Sequence, residues 1–220
     1  MALNFDHPVT LVGGGALDQM MLTEAMRYAP VLIAADGAGE RLIEMGHRPT
    51  AVIGDMDSIT DQAALERLTR VVPLAEQETT DFEKCLYTAQ APLYLAVGFT
   101  GRRLDHTLAV FDTMMRRADQ TVILLGEKEV LALVPPQKRL DLTVGTGSRV
   151  SFVALSEATG TESVGLEWGI DGLTMALGQQ VGTSNRAVAD QVQIAFDRPG
   201  VLIMLERDCL GSLIKALTKD

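Results

Sequence analysis

The sequence predicts an α/β protein: a mostly parallel sheet with flanking helices, followed by a C-terminal antiparallel β-sandwich domain. Three observations predict it. Short apolar runs alternate with helix-like stretches through the first half of the chain. After about Gly126 the apolar residues recur with period two. The polar clusters of the first half fall just beyond its apolar runs, where ligands bind in open α/β sheets. The change of period divides the chain into domains 1–126 and 127–220.

The apolar runs Pro8 to Val12, Val31 to Ala35, Ala51 to Ile53, Val71 to Leu74, Leu93 to Val97 and Thr121 to Leu125 read as the strands of the first domain. Leu42, Ile43 and Met45 lie in a short helix that Gly46 ends. Leu104, Leu108, Phe111 and Met115 recur at helical spacing and predict one apolar helix face. In the second domain, Val130/Ala132/Val134, Leu140/Leu142/Val144, Val150/Phe152/Ala154 and Val192/Ile194/Phe196 alternate as half-buried strands, and Val201 to Leu205 follows. Pro135-Pro136, Gly145-Thr146-Gly147 and Pro199-Gly200 separate them.

Composition narrows the function. A formal net charge of -10 repels nucleic-acid phosphates and anionic membranes, so neither is an expected partner. Cys85 and Cys209 lie too far apart for a metal-ligand pattern and read as free thiols of a reducing compartment. His7, His47 and His106 are scattered, which argues against zinc. No apolar run is long enough to span a bilayer, and the first residues lack a secretory pattern; a cytoplasmic location is expected.

Four consecutive strand ends carry acids: Asp36, then Asp55 and Asp57, then Asp81, then Asp105. Gly54-Asp55-Met56-Asp57-Ser58 is the sharpest motif. In extended chain its two carboxylates point to one side, about 7 Å apart, a spacing suited to a magnesium ion that also binds phosphate oxygens. The same motif also reads as a solvated turn, with Ser58 or Thr60 capping a helix that starts near Asp61. Thr80 and Glu83 form a capping box, with Asp81 at the positive helix end, a place that also attracts phosphate. Gly98 to His106 is a glycine-bearing turn into a helix whose Arg102 and Arg103 can clamp phosphate. His106 reads equally as a base or as a structural residue. Gly13-Gly14-Gly15 lacks the third glycine of a dinucleotide fingerprint, since Asp18 stands there, and no Walker lysine follows.

Taken together and in order, these motifs resemble the thiamine pyrophosphokinase family over nearly the whole chain. The segments that carry the resemblance are Ala35-Asp36-Gly37-Ala38-Gly39-Glu40-Arg41-Leu42, Gly54 to Ser58, Glu76-Gln77 with Thr80-Asp81 and Lys84, Gly98 to His106, Gly165-Leu166-Glu167-Trp168, and Thr183-Ser184-Asn185. Departures from the family pattern are Gly39-Glu40 for Ala-Asn, Glu76 for aspartate, Arg102 for glycine and Val110 for asparagine.

The resemblance implies transfer of pyrophosphate from ATP to the thiamine hydroxyl with magnesium, giving thiamine diphosphate and AMP. It also implies a homodimer with its active site at the interface. By position, Asp55, Asp57 and Asp81 would hold the metal. Asp36, Thr80, Lys84 and Arg103 would bind ATP, and Gln77, Trp168, Ser184 and Asn185 would contact thiamine. Asp57, Asp81, Arg103 and Asp105 would serve catalysis, with the proton acceptor left open between Asp105 and a metal-held aspartate. The same residues are compatible with a metal-dependent phosphohydrolase or with a non-catalytic thiamine- or nucleotide-binding sensor.

Overall fold

The structure is a computed structural model that describes residues 2–219. The chain divides after Gly126 into two compact units. The first contains, in order, β1 (Leu3–Asn4), β2 (Val9–Val12), α1 (Gln19–Tyr28), β3 (Val31–Ala35), α2 (Ala38–Glu44), β4 (Ala51–Gly54) and α3 (Gln62–Leu68). It continues with β5 (Arg70–Pro73), α4 (Asp81–Thr88), β6 (Ala89–Gln90), β7 (Tyr94–Val97), α5 (Leu104–Arg116) and β8 (Val122–Leu125).

Six of these strands form a parallel sheet in the order β8-β7-β2-β3-β4-β5. β1 and β6 make a separate parallel pair of two residues each. Every residue of β2, β4, β7 and β8 is buried, as continuous apolar runs in a sheet covered on both faces require. Asp18 caps α1 by accepting from the Met21 amide at 2.7 Å. α2 ends where the Gly46 and His47 amides return to the Ile43 and Leu42 carbonyls.

The second unit contains β9 (Glu129–Leu133), β10 (Leu140–Thr143), β11 (Arg149–Ala154), β12 (Ala158–Val164), β13 (Thr174–Met175), β14 (Gly182–Arg186), β15 (Gln191–Phe196) and β16 (Val201–Glu206). A 3-10 turn, Arg207–Cys209, leads into α6 (Leu210–Thr218). Two antiparallel sheets, β14-β11-β16-β9 and β10-β15-β12-β13, make the sandwich. Phe152 of β11 meets Phe196 of β15 edge-on, with ring centroids 5.8 Å apart, so the inner faces of the two sheets interdigitate.

Four local expectations are corrected. The stripe Leu104, Leu108, Phe111 and Met115 does not face the core: Leu104 is 74% and Leu108 57% exposed, and α5 buries Val110, Thr113 and Met114 instead. Neither Ser58 nor Thr60 caps α3; Asp61 does, accepting from the Ala64 amide at 2.9 Å. Only half of the capping box forms on α4, because the Glu83 carboxylate turns to Arg116 and Arg117 rather than back to Thr80. Thr183-Ser184-Asn185, whose residue types alone would suggest a turn, lies inside β14.

The loops after β2 and β7 interlock through glycines. Gly98 has φ 72°, and a Cβ there would lie 2.5 Å from the Gly13 carbonyl oxygen. Gly98→Ala therefore combines a left-handed backbone with a clash against main chain. It should destabilise the protein by about 2 kcal/mol or more, read as a lowered urea midpoint; an unchanged midpoint contradicts this packing.

Candidate active site

The strand-end loops of the parallel sheet enclose a cleft of ≈ 540 Å³. Its walls include Gly13 to Gly15 after β2, Asp36 and Gly37 after β3, Asp55 and Ser58 after β4, Gln77 and Thr80 before α4, and Gly98 to Thr100 after β7. Arg41 of α2 steadies the glycine loop by donating to the carbonyls of Gly15 and Leu17 at 2.9 and 2.7 Å. Arg102 donates to Gly14 O at 3.3 Å. Phe99 and Phe82 stack in a tilted pair beside it.

Three carboxylates converge. Asp36, Asp55 and Asp57 each offer an oxygen within 4.8 Å of the others. They do so by a route different from the extended-chain geometry, because Met56 between Asp55 and Asp57 has φ 69°. The turn is closed by the Asp57 amide donating to Asp55 Oδ1 at 3.3 Å. Asp36 is itself left-handed, at φ 46°, and packs against Gly54, where a Cβ would come within 2.7 Å of its own. Its Oδ2 accepts from the Ser58 amide at 3.3 Å, while its buried Oδ1 has no hydrogen-bond partner among the described residues.

Lys84 is the local counter-charge. Its side chain is 1% exposed, and its ammonium lies 3.1 Å from Asp55 Oδ2 and 3.3 Å from Asp81 Oδ1. Burial raises the Asp55 pKa, but Lys84, the Asp57 amide and Gln77 more than offset this and leave it below the ordinary value. For Asp81 burial outweighs the pull of Lys84, and the neighbouring Asp55 and Asp36 charges add to it, so its carboxyl is pushed up. Asp81 thus stands with Lys84, outside the group of three oxygens that Asp36 completes.

The remaining candidates are spread unevenly. Gln77, Thr80, Lys84 and Arg103 line the cleft, and Gln77 donates to Asp55 Oδ2 at 2.9 Å. Thr80 Oγ1 is engaged as the cap of α4. Asp105 is exposed and bound to Arg103 at 2.5 Å, and the Arg103 hydrogen bond holds its carboxyl below the usual range. Trp168, Ser184 and Asn185 belong to the second unit. The Trp168 indole is 58% exposed, the Ser184 amide donates to Ser151 Oγ at 2.9 Å, and Asn185 is buried.

Three positioning residues lay outside the expected set. Glu40 accepts from the amides of Thr60 and Asp61 and so braces the loop that follows Asp57. Those two amides hold its pKa low. Glu76 accepts from the amides of Glu78 and Thr79, the Thr79 hydroxyl and the Tyr87 hydroxyl, which fixes the loop that carries Gln77. Arg41 is the third. The visible signal was the departure at position 40, which places a carboxylate where it can gather amides; Glu76 keeps the acid of the family pattern with a longer side chain.

A cleft with acids for a cation, glycine loops open to phosphate and an arginine at its rim marks the α/β proteins that handle phosphorylated ligands. Sequence comparison makes this specific. The pattern "Thiamin pyrophosphokinase, catalytic domain" matches residues 22–125, and "Thiamin pyrophosphokinase, vitamin B1 binding domain" matches residues 137–201. The chain belongs to the thiamin pyrophosphokinase family. It is 25% identical to the thiamine pyrophosphokinase of Bacillus subtilis, over 90% of this chain and 97% of that one. It is 24% identical to thiamine pyrophosphokinase 1 of Arabidopsis thaliana, over 77% and 76%. Its fold matches the crystal structure of thiamin pyrophosphokinase from Geobacillus thermodenitrificans with a TM-score of 0.74 at 23% identity, covering 90% of this chain and 96% of that one. The yeast enzyme gives 0.75 at 17%, covering 93% and 88%.

The Glu76 network yields a pH test. Chiefly because of the Thr79 hydroxyl, its pKa is lowered from 4.5 to about 2. Folding lowers this pKa, so the stabilisation is complete above pH 4.5 and is lost as the pH falls toward 2. Urea midpoints of the parent and Glu76→Gln proteins should differ most near neutral pH and converge as the medium is acidified; a constant gap contradicts the assignment.

Proposed function

We propose that this chain is a working thiamine diphosphokinase: it transfers pyrophosphate from ATP to the hydroxyl of thiamine and releases AMP. Family membership supports the reaction, and the convergence of Asp36, Asp55 and Asp57 beside an orphaned buried oxygen supports the site. That donor set, all carboxylate oxygen, suits magnesium rather than a softer metal. Asp36, Asp55 and Asp57 would hold it, and when bound it would neutralise charge on the phosphate oxygens.

The first unit binds ATP. The glycine loops after β2 and β7 let phosphates approach main-chain amides, and Arg103 lies on the cleft wall to counter charge that develops on the transferred group. The thiamine oxygen attacks the β-phosphorus in line, the bond from that phosphorus to the α–β bridging oxygen breaks, and AMP leaves. Asp81 would accept the hydroxyl proton: it lines the cleft, and burial raises its proton affinity against the pull of its ion pair with Lys84. Asp105 is exposed and paired with Arg103. Lys84 keeps Asp55 ionised and in place. In the second unit, Trp168 offers an exposed face for a cationic aromatic ring, and Ser184 lies on β14 next to Asn185, which bonds to the Trp168 main chain.

No described helix is long and apolar enough to cross a membrane. A reducing, ATP-rich cytoplasm suits the free thiols of Cys85 and Cys209. The outward-facing Leu104 and Leu108 of α5 give an apolar surface that a second copy would cover, in keeping with a homodimer.

Incubation with ATP, magnesium and thiamine should produce AMP and thiamine diphosphate in equal amounts, resolved by chromatography. Asp57→Asn should lower turnover at least about a hundredfold with an unchanged circular dichroism spectrum. Release of inorganic phosphate without thiamine diphosphate would support a phosphohydrolase instead, and ligand binding without AMP a sensor.

A further inference from the structure

Trp168 is 58% exposed, yet both its main-chain N–H and C=O are bonded to one side chain. Asn185 of β14 does the tying. Its Nδ2 donates to Trp168 O at 2.7 Å, and its Oδ1 accepts from the Trp168 amide at 3.2 Å and from the Arg186 amide at 2.8 Å. An amide side chain has two donor hydrogens and two acceptor sites. Three of the four are therefore spent on main chain, and the residue is 5% exposed. Reversing the amide would set donor against donor and acceptor against acceptor, so its orientation is dictated by these partners.

The neighbouring bonds repeat the pattern. The Glu167 amide donates to Arg186 O at 2.8 Å, the Val188 amide donates to Gly165 O at 2.8 Å, and Leu166 bridges Ala187 in antiparallel register. The Glu167 carboxylate pairs with Arg186 Nε at 2.6 Å. The segment 165–168 is thus stapled to the end of β14, and only the indole is left unattached.

We propose that Asn185 is a positioning residue: it locks the backbone under Trp168, pre-orders the indole to receive the substrate ring, and does not itself touch the substrate. This rests on the reading of Trp168 as a thiamine contact. An exposed aromatic ring held on a mobile loop would lose conformational freedom on binding, and a rigid one loses less. The role lies in substrate binding, so it should appear in KM and spare kcat.

The test is a double-mutant cycle on the full chain with thiamine, ATP and magnesium. Asn185→Ala should raise the thiamine KM about tenfold, with kcat and the ATP KM within about twofold. Trp168 is the single tryptophan, so the fluorescence anisotropy of Asn185→Ala should fall as the indole gains mobility. In a Trp168→Ala background, adding Asn185→Ala should change the thiamine KM by less than about twofold, because the residue acts through the indole. A full additional loss there would mean that Asn185 contacts substrate directly, and would overturn the proposal alone. Unchanged anisotropy would overturn it as well. No change in thiamine KM for Trp168→Ala by itself would remove both the reading of Trp168 and the proposal. Asn185→Asp, which keeps an acceptor for both amides but sets a carboxylate oxygen against Trp168 O in place of the donor, should shift KM and anisotropy in the same direction. It serves as the readout if Asn185→Ala fails to fold, and a parent-like Asn185→Asp would then count against the clamp.

Discussion

Like charge crowded at one sheet edge is the constraint on which the first unit depends. Two carboxylates about 5 Å apart repel by roughly 3 kcal/mol at an effective dielectric of about 20. Three oxygens from Asp36, Asp55 and Asp57 sit within that range, with Asp81 nearby. Among the described residues the buried ammonium of Lys84 pairs with Asp55 and Asp81 and leaves the Asp36 side of the cluster without a cation. Under the proposed function, a divalent cation would offset this repulsion.

The rest of the first unit keeps those acids from separating. Gly54 lets Asp36 come close, the left-handed residues Asp36 and Met56 turn their neighbours back over the strand ends, and Glu40 and Glu76 gather main-chain amides of the two loops that flank them. Strained backbone of this kind persists only when its surroundings over-determine it. The fully buried strands β2, β4 and β7 provide that rigidity. In the second unit the same logic appears at smaller scale, where Asn185 spends its hydrogen-bonding capacity on a neighbouring loop.

Much of this was legible in the residues. Alternation of apolar runs with helical stretches gave the parallel sheet, because strands buried on both faces leave continuous apolar signals. The change to period two gave the sandwich. Acids after successive strands pointed to one edge. What the sequence could not show was which side chains share a point in space. Asp36 joins Asp55 and Asp57 through two left-handed residues, and no period or propensity encodes that turn. Leu104 and Leu108 looked like a core stripe because spacing carries no information about which face is covered. β12 and β14, Ala-Thr-Gly-Thr-Glu-Ser-Val and Gly-Thr-Ser-Asn-Arg, are too polar to alternate visibly and are held by pairing across the sheets. Glu40, Glu76 and Glu167 each place a carboxylate on a specific partner, which sequence alone did not reveal.

The gathering of cation-binding oxygens by Asp36, Asp55 and Asp57 is tested most directly by anomalous diffraction from crystals grown with manganese and a non-hydrolysable ATP analogue. The account predicts a manganese peak at about 2.2 Å from a carboxylate oxygen of at least two of these three residues. A metal held by phosphates alone, or by acids elsewhere on the chain, would contradict it.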